Sequence, residues 1–365
     1  YQAKRAVPAE NIIHVEFDPG KNIMSAGEFA VLKRVVEAKL PSDIQAFALT
    51  WAAPYRVGCM SISSAFAFGY DVKYCAQGCK PTYPSPYFNS ESQLPYKHFG
   101  IRPTMLLAAD NLKDAEQLID RGVAADGSYP QGSAYLLKTS DKNRSVRKMY
   151  YPRVESILGD KININIMQAE AINNRRDVMF YFTGQTWVSD IDTNRYLPGA
   201  VADHLTSSGG QLTGGAQMSA MDWLKAGATG SYGTVVEPCN LTGKFPNPLV
   251  LMAKYLAGES LLQAYWKSVQ MPGQGVFIGE PLAKPYAAYR LQQKATGLTL
   301  SSPVLKPGYY SVSVADKING PFTKLLAAVE ISPYKHNIDL PLPAAAVYKI
   351  ERLQQIGQPV LPLKN

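Results

Sequence analysis

Apolar residues near the start of the chain follow a strand pattern, then a helical pattern, then a second strand pattern. Residues 11–17 predict a β-strand. Ser25 and Glu28 have the spacing of a capping box, in which each side chain accepts a hydrogen bond from a free backbone amide. The helix that follows carries apolar residues at helical spacing, namely Phe29, Leu32, Val35 and Val36. Residues 44–51 form a nearly continuous apolar run, which is typical of a parallel strand buried on both faces.

The alternation of strands and helices continues through the middle of the chain. Further strands are predicted at residues 103–109, 132–137, 162–166, 178–182, 199–204 and 229–236. Helices are predicted after Asn111, over residues 219–224, after Asn247 and Pro248, and from Ser260 onward. This order predicts an α/β fold with a doubly wound, mostly parallel sheet.

The pattern changes near residue 299. Short alternating runs, separated by Pro, Gly and Asn, cover residues 309–314, 325–331 and 346–350. They predict a small all-β module, an antiparallel sandwich. We therefore predict two domains, residues 1–298 and residues 299–365.

Composition excludes some classes of function. The 365-residue chain carries a formal charge of +8, but its lysines and arginines are spread without a basic run. It also lacks zinc-finger, helix-turn-helix and RNP signatures, which argues against nucleic-acid binding. No window approaches the roughly eighteen consecutive apolar residues of a membrane span. The chain opens with polar residues from Tyr1 to Arg5, which predicts a mature or truncated chain.

Four cysteines, Cys59, Cys75, Cys79 and Cys239, form an even set, as an oxidising compartment favours. Cys75 and Cys79 lie in a turn-rich stretch where a small-loop disulfide is possible, which leaves Cys59 and Cys239 to pair with each other. Free thiols and a metal site are the alternatives, but the nearest further ligand, His98, stands apart without motif spacing. We predict no metal site, no cofactor and an extracytoplasmic location: periplasmic, cell-surface or secreted.

Residues that follow the strands are the candidates for chemistry, because ligands of a doubly wound sheet bind beyond the carboxyl ends of its strands. His204 ends a predicted strand and is followed by Ser207 and Ser208. One hypothesis is a hydrolase in which His204 activates one of these hydroxyls. The alternative is a His204 that is hydrogen-bonded within a packed loop. The P-loop, GxSxG, HExxH and GxGxxG motifs of other enzyme classes do not occur.

Acidic and aromatic residues provide two further sets of candidates. Candidates for a cation site or for general acid chemistry are Asp190, Asp192 and Glu237, with capping or salt bridging as the alternative. Candidates for the wall of a glycan-binding cleft are Trp51, Trp187 and Trp266, with a role in the core or at a domain interface as the alternative.

A resemblance to a known family rests on four longer sequence segments, at residues 55–66, 198–207, 226–239 and 279–286. The chain resembles an uncharacterised family of exported bacterial proteins found in genomes that also carry the exosortase sorting system. The resemblance covers residues 1–286. That family begins with a further strand and helix, so the resemblance implies that the first sheet strand is missing here or has been processed away.

More distantly, the chain resembles gingipain-type peptidases, through its glycine-alanine strand followed by Glu-Pro, its later two-helix stretch and its Gly-Glu-Pro-Leu ending. This resemblance implies a caspase-like α/β domain followed by an immunoglobulin-like β domain. The chain departs from those peptidases at both catalytic positions. Gly184 and Gln185 stand where they have His-Gly, and the next loop offers Ser207 and Ser208 but no Cys.

These departures imply a fold kept without its peptidase dyad, or one reused for other chemistry around Gln185, His204 and Glu237. We therefore expect an extracytoplasmic, non-catalytic binding or structural protein of the cell surface. The expected partner is a cell-surface protein or a polysaccharide. The alternatives are the His204 hydrolase and a subunit of an extracellular assembly.

Overall fold

The computed structural model describes residues 1–353 apart from residues 77, 288, 303, 304, 306, 318, 319, 333, 334, 336, 342–344 and 346. The chain forms two compact units, Tyr1–Tyr286 and Ala287–Asn365. The predicted boundary after residue 298 falls inside a strand of the second unit, Gly297–Ser301. This strand and its partner, Arg290–Lys294, therefore both belong to the second unit.

The first unit contains an eight-stranded sheet and a small three-stranded sheet. Its strands are β1 Ile23–Met24, β2 Phe47–Leu49, β3 Arg56–Val57, β4 Met60–Ser61, β5 Thr104–Leu106, β6 Ser133–Lys138, β7 Asn163–Gln168, β8 Val178–Thr183, β9 Tyr196–His204, β10 Gly230–Thr234 and β11 Gly275–Gly279. Its α-helices are α1 Gln2–Arg5, α2 Ala26–Lys39, α3 Ile62–Phe68, α4 Pro95–Phe99, α5 Leu112–Ala125, α6 Tyr151–Leu158, α7 Ala220–Ala226, α8 Pro248–Leu256 and α9 Leu261–Ser268.

The large sheet has the strand order β2-β5-β11-β10-β9-β8-β6-β7. Each pair of neighbours is parallel except β10 with β11, which is antiparallel. The prediction of an α/β fold with a large, mostly parallel sheet is confirmed. From β6 the chain moves outward to β7 and then returns across β6 to form β8, β9 and β10 in turn. The direction of winding therefore reverses between β6 and β8.

Local capping signals start the helices where the sequence predicts. Ser25 Oγ accepts a hydrogen bond from the Glu28 amide at 3.2 Å, and the Glu28 carboxylate accepts one from the Ser25 amide at 2.8 Å. Asn111 and Asn247 cap α5 and α8 in the same way, through amide oxygens that accept from the first turn. These contacts involve residues two or three positions apart, so the sequence alone specifies them.

Residues 12–17 belong to no helix, turn or sheet, so the prediction of a strand there is wrong. The preceding residues, Ala9–Asn11, form a 3₁₀ turn. The side chains do alternate as in a strand: Ile13, Val15 and Phe17 are half-buried, whereas the residues between them are exposed. A strand also needs a neighbour, and within the described chain none pairs with this segment.

Buried apolar side chains surround the large sheet in two clusters. All six residues of β8 are buried, because this strand lies in the interior of the sheet with both faces covered. Among the largest buried side chains of the first cluster are Phe180, Trp223 and Trp266, and the second contains Phe29 and Phe66. The near-continuous apolar runs of the sequence correspond to this two-sided burial.

The second unit is built from antiparallel strands: β12 Arg290–Lys294, β13 Gly297–Ser301, β14 Gly308–Ala315, β15 Thr323–Ile331, β16 Asn337–Pro341 and β17 Val347–Arg352. They form two sheets with the orders β12-β13-β16 and β15-β14-β17. Residues of both sheets, including Leu300, Val312 and Ile338, share one small core. The predicted change to short antiparallel strands is confirmed, although the first residue of the predicted run 346–350 lies outside the described residues.

Of the helices in the described ranges, none has the length and apolar character needed to span a bilayer.

Candidate functional site

The carboxyl ends of β6 and β8 meet at the point where the winding of the sheet reverses. Open α/β sheets bind ligands in the crevice beyond the strands at such a switch point. The loops that start there are residues 139–144 after β6 and residues 184–187 after β8. The ends of β7 and β9 lie on either side of them.

Two contacts hold the loops after β6 and β8 together. Thr139 Oγ1 donates a hydrogen bond of 2.7 Å to the Gly184 carbonyl oxygen. A Cβ at residue 184 would overlap the carbonyl of Arg144, so only glycine allows this close approach. Asp141 shapes the first loop, because its Oδ1 accepts from the Asn143 and Arg144 amides at 3.0 Å each. The backbone of both loops is thereby fixed.

Arg144 is the central polar side chain of this crevice. Its Nη1 donates to Asp141 Oδ2 at 2.8 Å, and its Nε donates to Thr206 Oγ1 at 3.1 Å. Thr206 Oγ1 in turn donates to Gln217 Oε1 at 2.8 Å, which also accepts from the Ser208 amide at 2.9 Å. The side chains of Arg144 and Asp141 are 26% and 24% exposed, so solvent reaches them. Arg144 Nη2 makes no hydrogen bond within the part of the chain that the structure describes.

The electrostatics of the crevice favour a fixed ion pair. Burial raises the pKa of Asp141, but the hydrogen bonds from the amide and the guanidinium of Arg144 outweigh it and hold this pKa below its usual value. Asp141 is therefore ionised at neutral pH and keeps the guanidinium in place.

A second branch of polar contacts extends from the same loops toward β7. Gln185 Nε2 donates to Glu170 Oε2, and Glu170 Oε1 accepts from the Ser140 amide at 2.8 Å. Trp187, two residues beyond Gln185, is 62% exposed. We call the set Ser140, Asp141, Arg144, Glu170, Gln185, Thr206 and Gln217, with Trp187 beside it, the switch-point site.

A buried ion pair supports the floor of this site. Arg147 Nη1 contacts Asp203 Oδ1, and both side chains are only 1% exposed. Arg147 Nη2 also donates to the Thr183 carbonyl oxygen at 2.8 Å. Burial raises the pKa of Asp203, and the nearby Arg147 charge opposes that rise. The pair thus joins the last residue of β8 to the end of β9.

His204 does not lie in this crevice. Its side chain is 2% exposed, Nδ1 accepts from the Trp223 indole N–H at 2.8 Å, and Nε2 donates to the Met218 carbonyl oxygen at 3.1 Å. Burial lowers the pKa of His204 to about 4. Both ring nitrogens are occupied, so the ring cannot take a proton from Ser207 or Ser208. This geometry contradicts the hypothesis of a His204 hydrolase with either serine as nucleophile.

The acidic candidates do not form a cluster. Asp190 has a left-handed backbone, and its carboxylate accepts from Ser189 Oγ at 2.8 Å. Glu237 accepts from the Cys239 amide at 2.7 Å and acts as a local turn cap. Among the described residues, no group of three or more His, Cys, Asp and Glu side chains is arranged to hold a metal ion. The predicted joining of Asp190, Asp192 and Glu237 is therefore not observed.

The three aromatic candidates also differ in burial and contacts. Trp266 is fully buried, stacks on Phe277 at 4.5 Å between ring centroids, and donates to the Thr104 carbonyl oxygen. Trp51 is half-buried and donates to the Pro54 carbonyl oxygen at 3.1 Å. Only Trp187 of the three presents its ring to solvent.

The cysteines form two disulfides, but not the predicted ones. Cys59 pairs with Cys75 and Cys79 pairs with Cys239, with Cα–Cα distances of 5.7 and 5.3 Å. The predicted Cys75–Cys79 and Cys59–Cys239 pairing is wrong. Tyr74, the residue before Cys75, stacks on Phe68 with 4.5 Å between the ring centroids. The second disulfide joins Cys79 to the segment after β10.

Sequence reasoning singled out Gln185 and Trp187 but missed the other residues of the switch-point site. Arg144 and Arg147 follow Asp141 at spacings of three and six residues. This Asp-x-x-Arg-x-x-Arg spacing just after a buried strand is a local signal for the site. The signal for Glu170 is its position two residues after β7.

Comparison with known proteins assigns no role to this site. No protein-family model matches the chain, and no curated protein matches it. Among solved structures, the chain is similar to one described as "Structure of Protease", with 10% sequence identity and a TM-score of 0.30, over 69% of this chain and 75% of that chain. A similarity at this level carries no argument about the fold or the activity of this chain.

Proposed function

We propose that this chain is an extracytoplasmic, non-catalytic binding protein of the cell surface, and that its ligand is a carboxylate-bearing polysaccharide held at the switch-point site. The observation that carries the proposal is Arg144, which Asp141 and Thr206 hold in place while Nη2 has no partner among the described residues. A guanidinium fixed in this way is preorganised to bind a carboxylate.

Neighbouring groups suit the rest of a sugar ring. Trp187 offers an exposed aromatic face on which a pyranose ring can pack. Gln185 and Glu170 provide amide and carboxylate groups for sugar hydroxyls. Binding without catalysis is supported by His204, because this residue at the end of β9 is buried and bonded on both ring nitrogens.

The resemblances of the sequence belong to the same proposal. We propose a caspase-like first unit that has lost its peptidase dyad, followed by an immunoglobulin-like β unit, in an exported protein of the exosortase-associated family. The two disulfides support an oxidising compartment. The reversal of winding at β6 and β8 supports the location of the binding site.

The test is calorimetric titration with oligogalacturonate and with a neutral glucan of equal length. We expect binding of the uronate only, and a loss of about 10- to 100-fold in affinity for Arg144→Ala, because a charge-assisted hydrogen bond contributes about 1.5–3 kcal/mol. Arg153→Ala is the control, since this arginine is exposed on α6, outside the switch-point site.

Two results would overturn the proposal. Equal affinity of the Arg144→Ala and Arg153→Ala variants for the uronate, or no binding of either glycan, would remove the assigned site. Release of reducing ends from the uronate by the wild-type chain would show that the protein is not purely a binding protein.

A further inference from the structure

A groove of about 500 Å³ lies beside β2, the edge strand of the large sheet. The switch-point site lies near the opposite edge of this sheet. One wall is β2 with its flanking residues 46–51, and the other wall contains residues 12–15 and Phe17. We call this space the strand groove. Its lining includes Ile13, Val15, Phe17, Phe47, Leu49 and Trp51, and no Asp, Glu, Lys or Arg side chain.

The β2 wall presents unpaired backbone groups. The Phe47 amide donates to the Pro103 carbonyl oxygen at 3.0 Å, and the Leu49 carbonyl oxygen accepts from the Leu107 amide at 2.8 Å. In a parallel ladder, alternate residues bond to the same neighbour, so Ala48 directs its N–H and C=O away from β5. Among the described residues, nothing pairs with these groups of Ala48, because β2 ends the sheet.

The opposite wall has the same property. Residues 13–17 belong to no helix, turn or strand, and within the described chain their backbone amides and carbonyls make no hydrogen bond to other backbone groups. Their side chains alternate, with Ile13, Val15 and Phe17 directed toward the core and His14 and Glu16 exposed. At one end the walls approach each other, since the rings of Phe17 and Trp51 are 4.7 Å apart. An edge strand without a partner and a segment without backbone hydrogen bonds therefore line one apolar space.

We propose that the strand groove binds an extended, uncharged polypeptide strand that pairs with β2 on one side and with residues 13–17 on the other. A polypeptide is the occupant that fits, because a peptide backbone carries donors and acceptors at regular spacing for the free amides and carbonyls along both walls. A lipid or a small apolar molecule would fill the volume and leave these groups unpaired. The uncharged lining selects a strand with apolar side chains on both faces, as in the interior of a parallel sheet.

The probe is a synthetic peptide of about seven alternating valines and isoleucines, the length of an ordinary strand, with two lysines at each end for solubility. Its binding is followed by fluorescence anisotropy of a labelled terminus. We expect binding that Ala48→Pro weakens by at least about tenfold, because proline removes the amide that faces the groove. Ala48→Ser, which keeps that amide, is the matched control.

Hydrogen exchange measured by NMR tests the pairing itself. We expect the Ala48 amide and the amides within residues 13–17 to gain at least about 100-fold protection on peptide binding, as ladder amides do. A peptide with N-methyl groups on every second amide tests the same pairing without altering the protein, and we expect it not to bind.

Four results would overturn the proposal. The first three are the absence of peptide binding, binding that leaves the Ala48 amide unprotected, and equal binding of the N-methylated peptide. A dimer in sedimentation experiments that Ala48→Pro dissociates would also overturn it, since the groove would then hold a second copy of the chain. Glycan binding at the switch-point site is measured separately, so the failure of one proposal leaves the other intact.

Discussion

His204 and Trp223 make the stability of the first unit depend on pH. The His204 ring is buried, accepts the indole N–H of Trp223 at Nδ1 and donates to the Met218 carbonyl oxygen from Nε2. Protonation of Nδ1 would remove this acceptor and place a charge in the core. The perturbation that we propose is acidification, applied to the wild-type chain and to His204→Gln, whose amide can still accept one bond and donate the other.

The magnitude follows from the difference between the folded and unfolded pKa. Burial lowers the pKa of His204 from 6.5 to about 4. Between these values the unfolded chain binds one proton more than the folded chain, so the free energy of unfolding falls as the pH decreases. At 1.36 kcal/mol per pKa unit, the loss between about pH 7 and pH 4 is about 3 kcal/mol. Above pH 7 the contribution is fully present.

Urea unfolding followed by tryptophan fluorescence measures this loss. All four tryptophans, Trp51, Trp187, Trp223 and Trp266, lie in the first unit, so the signal reports that unit. We expect the wild-type chain to lose about 3 kcal/mol more between pH 7 and pH 4 than His204→Gln does. The exposed His98 provides the control variant, His98→Gln, which should retain the wild-type pH dependence. An unchanged pH dependence in His204→Gln would refute the reasoning.

Three further predictions concern stability and are checked by the same unfolding experiment at pH 7. Arg147→Met leaves its buried partner carboxylate without a counter-charge and should cost about 3–5 kcal/mol; a cost below 1 kcal/mol would contradict a dry ion pair. Gly184→Ala pushes a methyl group into a backbone carbonyl of the facing loop and should cost about 1–3 kcal/mol, whereas a neutral effect would show that the two loops can separate. Replacing Cys79 and Cys239 together by serine removes a link between residues 160 positions apart and should cost about 2–5 kcal/mol; an equal stability of the oxidised wild type and this variant would contradict that estimate.

The parts of the fold that could be predicted are those that depend on nearby residues. The capping box of Ser25 and Glu28 and the Asn247 cap involve contacts within one helical turn. Strand β8 was predictable because burial on both faces requires an apolar run. By contrast, β11 was not predicted. Its antiparallel pairing with β10 depends on a return of the chain that no local pattern indicates.

The site could be predicted only in outline. The rule that ligands bind beyond the carboxyl ends of the strands led to Gln185, which lies in the switch-point site that we propose. It also selected His204, whose direction depends on Trp223 and Met218, two residues with no local relation to it. Arg144 was missed because its role depends on the adjacency of β6 and β8, which are separated along the chain by α6 and β7.

The α/β class, the helix starts, the change to short antiparallel strands and the even set of cysteines could be inferred from the amino-acid sequence. These properties follow from periodicity, composition and capping, which act over a few residues. Folding of the whole chain sets which cysteines pair, why residues 12–17 lack a partner strand, and how Arg144 meets Thr206. Each of these depends on the distance between segments far apart in sequence, and that distance is set by strand order and core packing.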